Sequence, residues 1–119
     1  MNIEEFREYC ISKKGVTEEL PFGPDILVYK VMGKMFALTS LQSEIFSVSL
    51  KCDPTKAIEL RDEFCYIVSA YHMSKTHWNN INCNFSPNEQ IKNLIEHSFN
   101  LVISSFSKKL RVEFDNLPE

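Results

Sequence analysis

Residues 71–78 read YHMSKTHW and hold two histidines, a lysine, a tyrosine and the chain's one tryptophan. Four kinds of chemistry are open to such a set. Histidine is the residue type suited to general acid–base work near neutral pH, so His72 or His77 would be the acid or base. The chain has no Gly-x-Ser-x-Gly elbow, no obvious carboxylate pair and no phosphate-cradling glycine loop, with three glycines in all. A cysteine–histidine nucleophile pair stays open, because its partners need only meet in space. A metal site would gather His72, His77 and Cys83 with Cys52 or Cys65. These are zinc-type donors, but His-x4-His-x5-Cys matches no common structural site. Glu4, Glu5 and Glu8 form a possible acidic ridge, which on an amphipathic helix reads as its solvated face.

The remaining chemistry is recognition. Lys75, His72 and His77 are of the types that contact phosphate, Trp78 or Tyr71 can stack on a base, and Asn79 and Asn80 can hydrogen-bond. Lys30, Lys34 and Lys51 would extend the patch. Residues 64–88 contain no Asp or Glu, so this segment is locally positive. The competing reading is architectural: Trp78 and Tyr71 anchor the segment in the core, and the histidines make buried hydrogen bonds.

Those residues need elements to hold them. Residues 2–14 read as a helix, with Ile3, Phe6 and Cys10 on one face, Lys13 and Lys14 at its negative end and Gly15 just past it. VTEELPFGPD is broken by Pro21, Gly23 and Pro24 and reads as a loop. ILVYKVMGKMFALTS reads as a β-hairpin turning at Met32-Gly33, pairing Val31 with Lys34 and Tyr29 with Phe36. In IFSVSLK, Phe46, Val48 and Leu50 alternate with Ser47, Ser49 and Lys51, the pattern of a half-buried strand with a polar outer face. Asp53 caps a second helix with Pro54 at its first position. HWNNINCNF reads as a short strand. A last helix opens at SPNE, with Ser86 and Glu89 forming a capping box. It carries the inward stripe Ile91, Leu94, Ile95, Ser98, Val102 and Phe106, and ends at Lys108, Lys109 and Arg111. The tail beyond Phe114 is expected to fray. This order predicts an α+β fold of two layers, an antiparallel sheet with helices packed on one face.

Bulk properties bound the rest. A chain of 119 residues, 44% hydrophobic and 24% charged, suits one globular domain spanning 1–119. Nine phenylalanines supply bulky core side chains. No apolar run approaches a membrane span, and MNIEEFREYC lacks the basic and apolar regions of a secretory signal, so the expected setting is the cytoplasm. Cys10, Cys52, Cys65 and Cys83 are dispersed and read as buried thiols. The net charge of −3 counts against a chain given wholly to gripping phosphate, although a local patch can act where the net field does not.

Residues 21–41 (PFGPDILVYKVMGKMFALTSL), 48–64 (VSLKCDPTKAIELRDEF), 71–81 (YHMSKTHWNNI) and 94–111 (LIEHSFNLVISSFSKKLR) together resemble the MmcQ/YjbR family, often described as DNA-binding. The resemblance implies a fold like that of the bacterial frataxin homologue. It carries a nucleic-acid role onto Lys30, Lys34, Lys51, His72, Lys75, His77, Trp78 and Asn79. Ser74 stands where the family commonly has asparagine, and Thr76 where it commonly has lysine. The expectations are therefore a small DNA-binding protein of modest sequence preference, acting mainly through phosphate contacts. The alternative is a non-enzymatic protein-interaction module using the face of Ser47, Ser49 and Lys51. An enzyme or metal site built on His72 and His77 comes third. No cofactor, resident metal or membrane association is expected.

Overall fold

The computed structural model describes residues 1–70 and 73–118. The elements run α1 (Ile3–Ile11), β1 (Val16–Glu19), β2 (Ile26–Val31), β3 (Lys34–Ser40), β4 (Ser47–Lys51), α2 (Pro54–Glu63), β5 (Ile67–Ser69), β6 (Trp78–Asn82), α3 (Asn88–Ser104) and α4 (Lys108–Asp115). The strands form one antiparallel sheet in the order β1-β2-β3-β4-β6-β5. This is the expected α+β architecture, with two strands and one helix more than the sequence patterns announced.

α1 starts at a capping box: Asn2 Oδ1 accepts from the Glu5 N–H at 2.8 Å, and Glu5 accepts from the Asn2 N–H at 3.2 Å. It buries Phe6 and Cys10 as its spacing predicts. The helix stops at Ile11, earlier than expected, and Lys13 and Lys14 lie beyond it. They serve tertiary contacts instead of the helix dipole. Lys13 pairs with Glu96, and Lys14 Nζ donates to the Asp115 carbonyl at 3.2 Å.

The stretch read as a loop contains β1, paired Val16↔Val31 to Glu19↔Val28. Pro21, Gly23 and Pro24 all follow the strand, so they end it without preventing it. The β2–β3 turn has positive φ at both Met32 (51°) and Gly33 (82°), as a two-residue turn of this hand requires. Val31 faces Lys34 as expected, but Tyr29 faces Ala37 and not Phe36. A register shift between Tyr29 and Lys30 leaves Phe36 as an extra residue, and both Phe36 and Ala37 enter the core. Val48 and Leu50 are buried on the inner side of β4 as the alternation predicts. β5 is only three residues long, and Ile67 packs inward opposite Ile81.

α2 has the predicted cap, Asp53 accepting from the Lys56 N–H at 3.2 Å with Pro54 in the first turn. The capping box expected for α3 does not form. Pro87 is extended (φ −60°, ψ 149°) and itself occupies the cap, while Ser86 Oγ donates to Gln90 Oε1 at 2.7 Å. The single last helix is in fact two. Ser104 and Ser105 hydroxyls bond back to the carbonyls of Leu101 and Val102, an alternative to continuing the ladder. Ser107 then caps α4, so Lys108 and Lys109 begin a helix and do not end one. The tail past Phe114 is packed through Leu117, which touches the core. Gly15 (φ +75°) runs so close beneath it that a Cβ there would meet Leu117 at 3.2 Å and Phe114 at 3.3 Å.

The core lies between the sheet and α1, α3 and α4. Phe6 meets Tyr29 edge-on at 5.6 Å and Phe46 at 5.8 Å, and Phe36 meets Phe99 at 5.4 Å. Ser98, fully buried on α3, donates to the Phe36 carbonyl at 2.6 Å and accepts from the Lys51 N–H at 3.0 Å. It satisfies two backbone groups where the β3–β4 ladder has parted. Cys10, Cys52 and Cys83 are buried, whereas Cys65 is exposed, correcting the expectation for that thiol. Burial pushes the Cys10 and Cys83 thiols up to about 12. Among the described residues no helix is long and apolar enough to cross a membrane.

Candidate functional site

Tyr71 and His72 lie outside the described residues, so the tyrosine anchor and one expected phosphate contact are not placed. The rest of the motif forms a tight turn into β6. The Ser74 carbonyl accepts from the N–H groups of His77 (3.2 Å) and Trp78 (3.0 Å), and the His77 carbonyl accepts from Cys52 at 2.7 Å. Lys75 and His77 are exposed on this turn. Trp78 is only 7% exposed, and it stands apart from the main core cluster.

Asn79 is 2% exposed and makes internal bonds. Its Oδ1 accepts from Arg61 at 2.6 Å and its Nδ2 donates to the Ala57 carbonyl at 3.2 Å, which fastens α2 onto β6. The same Arg61 donates to the Lys75 carbonyl at 3.2 Å and so holds the turn. Asn80 donates to Ser49 Oγ at 3.1 Å.

The other expected contacts divide. Lys34 sits at the β2–β3 tip and Lys51 pairs across to Trp78, so Lys34, Lys51, Lys75 and His77 gather at one end of the sheet. Lys30 does not join them as a free cation, since its Nζ pairs with Glu19 at 3.3 Å. Sequence reasoning passed over His97. Its Nε2 accepts from the Asp53 N–H at 3.1 Å, and burial, helped by Lys56, holds its pKa below the ordinary value, which keeps that nitrogen free to accept. The two residues are far apart in sequence, so no local signal marks the pair.

Two carboxylates with close partners could be mistaken for acid–base machinery. Glu18 accepts from Arg7 Nε at 2.7 Å and from Tyr29 Oη at 2.8 Å, and the Arg7 hydrogen bond holds its carboxyl below the usual range. For Glu96, burial alone would raise the pKa, but hydrogen bonds from Lys13 and Tyr9 outweigh it and the net shift is downward. Neither is poised near neutrality, and each ties separate elements together. Among the described residues no three His, Cys, Asp or Glu side chains gather as a metal site.

A different feature dominates the sheet face turned away from the helices. A cleft of about 620 Å³ lies there. Alternation across the registered strands puts Ile26, Leu38, Ser40, Ser47, Ser49, Asn80 and Val68 on this open face, and all of them line the cleft. Phe22 from the β1–β2 loop and Met73 from the β5–β6 loop complete the walls. The serine face expected from β4 is therefore its floor, but Ser49 is nearly buried and not openly solvated. The apolar contributors went unnoticed. Alternation along ILVYK and KMFALTS could have exposed Ile26 and Leu38, whereas Phe22 and Met73 come from loops with no periodic signal.

A family model described as YjbR matches residues 11–101, more than half of the chain. The uncharacterised protein YbdF of Escherichia coli O157:H7 is 35% identical over 94 residues, covering 75% of this chain and 74% of that protein. The uncharacterised protein YjbR of Escherichia coli K12 is 27% identical over 112 residues, covering 93% and 95%. Among solved structures, a Deinococcus radiodurans protein with the domain DUF419 superposes with a TM-score of 0.89 at 32% identity, over 98% of this chain and 89% of that one. A Pseudomonas syringae protein gives a TM-score of 0.72 at 28% identity, over 85% and 98%.

Proposed function

We propose that this chain, which belongs to the YjbR family, is a non-enzymatic binding module whose recognition surface is the open face of its sheet. The observation that carries this reading is the cleft of about 620 Å³ on that face. Its size is that of a ligand site, and it mixes an apolar lining with a few hydrogen-bonding groups. Titration of an uncharged fragment library into 15N-labelled protein should shift the amides of Ser47, Ser49, Val68 and Asn80. Val68→Arg should abolish those shifts without unfolding the chain, because Val68 is 52% exposed. Fragments that bind but move only the Lys75–His77 turn, or a library that leaves the open face unmoved, would overturn the reading.

A second reading has its own support, the cations Lys34, Lys51, Lys75 and His77 gathered at one end of the sheet. Together they offer a polyanion such as DNA a small patch of phosphate contacts, with sequence preference expected to be modest because phosphate contacts carry no sequence information. On this reading, anisotropy of labelled duplex DNA rises at about 50 mM salt and collapses by about 200 mM. It also weakens in Lys75→Ala. No rise at the lower salt removes it.

A further inference from the structure

The lining of the cleft specifies the kind of molecule it takes. Among the described residues, none of its lining side chains is ionisable. Lys51, two residues beyond Ser49 on β4, sits at the end of the strand opposite Trp78 and outside this lining, and Lys30 is paired with Glu19. A charged ligand entering this cleft would lose hydration and meet no counter-charge from these lining side chains, which is a large penalty.

The apolar members are spread around the site. Phe22 from one loop is 64% exposed and Val68 on the edge strand is 52% exposed, so both have surface to cover. Leu38 and Ile26 contribute from the neighbouring strands. The polar members are partly committed already. Thr39 Oγ1 donates to the Ser47 carbonyl at 2.7 Å, and Ser49 Oγ accepts from Asn80 at 3.1 Å. Among the described residues the Ser47 hydroxyl and the Asn80 amide oxygen have no partner, leaving a donor–acceptor and an acceptor beside an apolar wall.

We propose that the cleft between Phe22 and Val68 binds an uncharged, largely apolar small molecule bearing one or two hydrogen-bonding groups, held over Ser47 and Asn80. The proposal rests on the reading of the open face as the recognition surface. It narrows that reading to one ligand class.

Two fluorescent probes that share a ring skeleton and differ in charge test it on the whole chain. N-phenylnaphthylamine is neutral, and anilinonaphthalene sulfonate carries an added sulfonate. The neutral probe should bind with enhanced emission and at least about tenfold more tightly than the sulfonate, since only the latter must be stripped of charge hydration. Val68→Asp should weaken the neutral probe by about tenfold or more while leaving the unfolding midpoint unchanged. Equal or tighter binding of the sulfonate, no binding of either probe, or an unchanged affinity in Val68→Asp would overturn the proposal. Fragment-induced shifts on the open face together with a failed neutral probe would mean that the face is a site for another ligand class. Failure of both experiments would remove the face itself.

Discussion

Phe6→Ala is expected to lower the free energy of unfolding by about 3–5 kcal/mol, the range for truncating a fully buried phenylalanine. Phe6 is fully buried, and it and Cys10 are the only buried residues of α1. Its ring stands edge-on to both Tyr29 and Phe46, so its loss empties the joint between the helix, β2 and the residue leading into β4. What would then keep α1 in place is the small Cys10 side chain, the partly buried Tyr9 ring and polar ties: Arg7 to Glu18, Tyr9 to Glu96 and, just past the helix, Lys13 to Glu96. Such polar ties are worth roughly 0–1 kcal/mol each when solvated. Against a total stability of about 5–15 kcal/mol, the substitution removes a large fraction. Chemical denaturation of the two proteins measures it directly. A difference below about 1 kcal/mol would mean that the site collapses to fill the space, contrary to this picture.

Asn79→Ala is expected to cost about 2–4 kcal/mol, because it strands the polar groups its amide serves and leaves a void. Arg61 loses its 2.6 Å acceptor and the Ala57 carbonyl loses its 3.2 Å donor. A gap of about 10 Å³ already lies beside Asn79, Leu60 and Leu94, so the truncation widens an existing void. The melting temperature should fall by on the order of 10 °C. This outcome also separates two roles for Asn79. As a nucleic-acid contact, its removal would weaken DNA binding and leave the melting temperature where it was. As the fastening between α2 and β6, its removal lowers the melting temperature whether or not DNA is present. A melting temperature within about 2 °C of the parent would discard the fastening role.

The parts of the fold that were legible in the sequence are those set by local rules. Met32-Gly33 marks a turn because Gly33 takes the positive φ of a tight turn at no steric cost. Ser47 to Lys51 shows its two faces by alternation, and Asp53-Pro54 marks a helix start by chemistry confined to one turn. The parts that were hidden depend on distant residues. β1 was masked by the prolines that follow it, and β5 is too short to show a period. The extra residue at Phe36 exists because the core has room for both Phe36 and Ala37. The break between α3 and α4 depends on serines whose hydroxyls bond back to their own helix, against a hydrophobic stripe that runs on to Phe106.

The candidate site divides along the same line. Lys34, Lys51, Lys75 and His77 were recognised by residue type, and the strand ends gather them. Asn79 is of a type that can hydrogen-bond, but type alone did not say that its partners are Arg61 and Ala57. The cleft is assembled from strands adjacent in space and separate in sequence, with Phe22 and Met73 added by loops. Its polar half was visible as the serines of β4; of its apolar half, alternation alone could have shown Ile26 and Leu38, whereas Val68 needed the register of β5.

The two margins of the sheet bear on how any partner could be held. β1 is four residues long and carries Glu18 and Glu19, and β5 is three residues long. A visiting extended peptide would find too few free backbone groups on either side to be stitched on as a seventh strand, and on one side it would meet two carboxylates. The same shortness guards the molecule against itself. Copies crowded together have no long bare rim along which to zip into fibres, so concentrated solutions should stay clear of edge-to-edge aggregation.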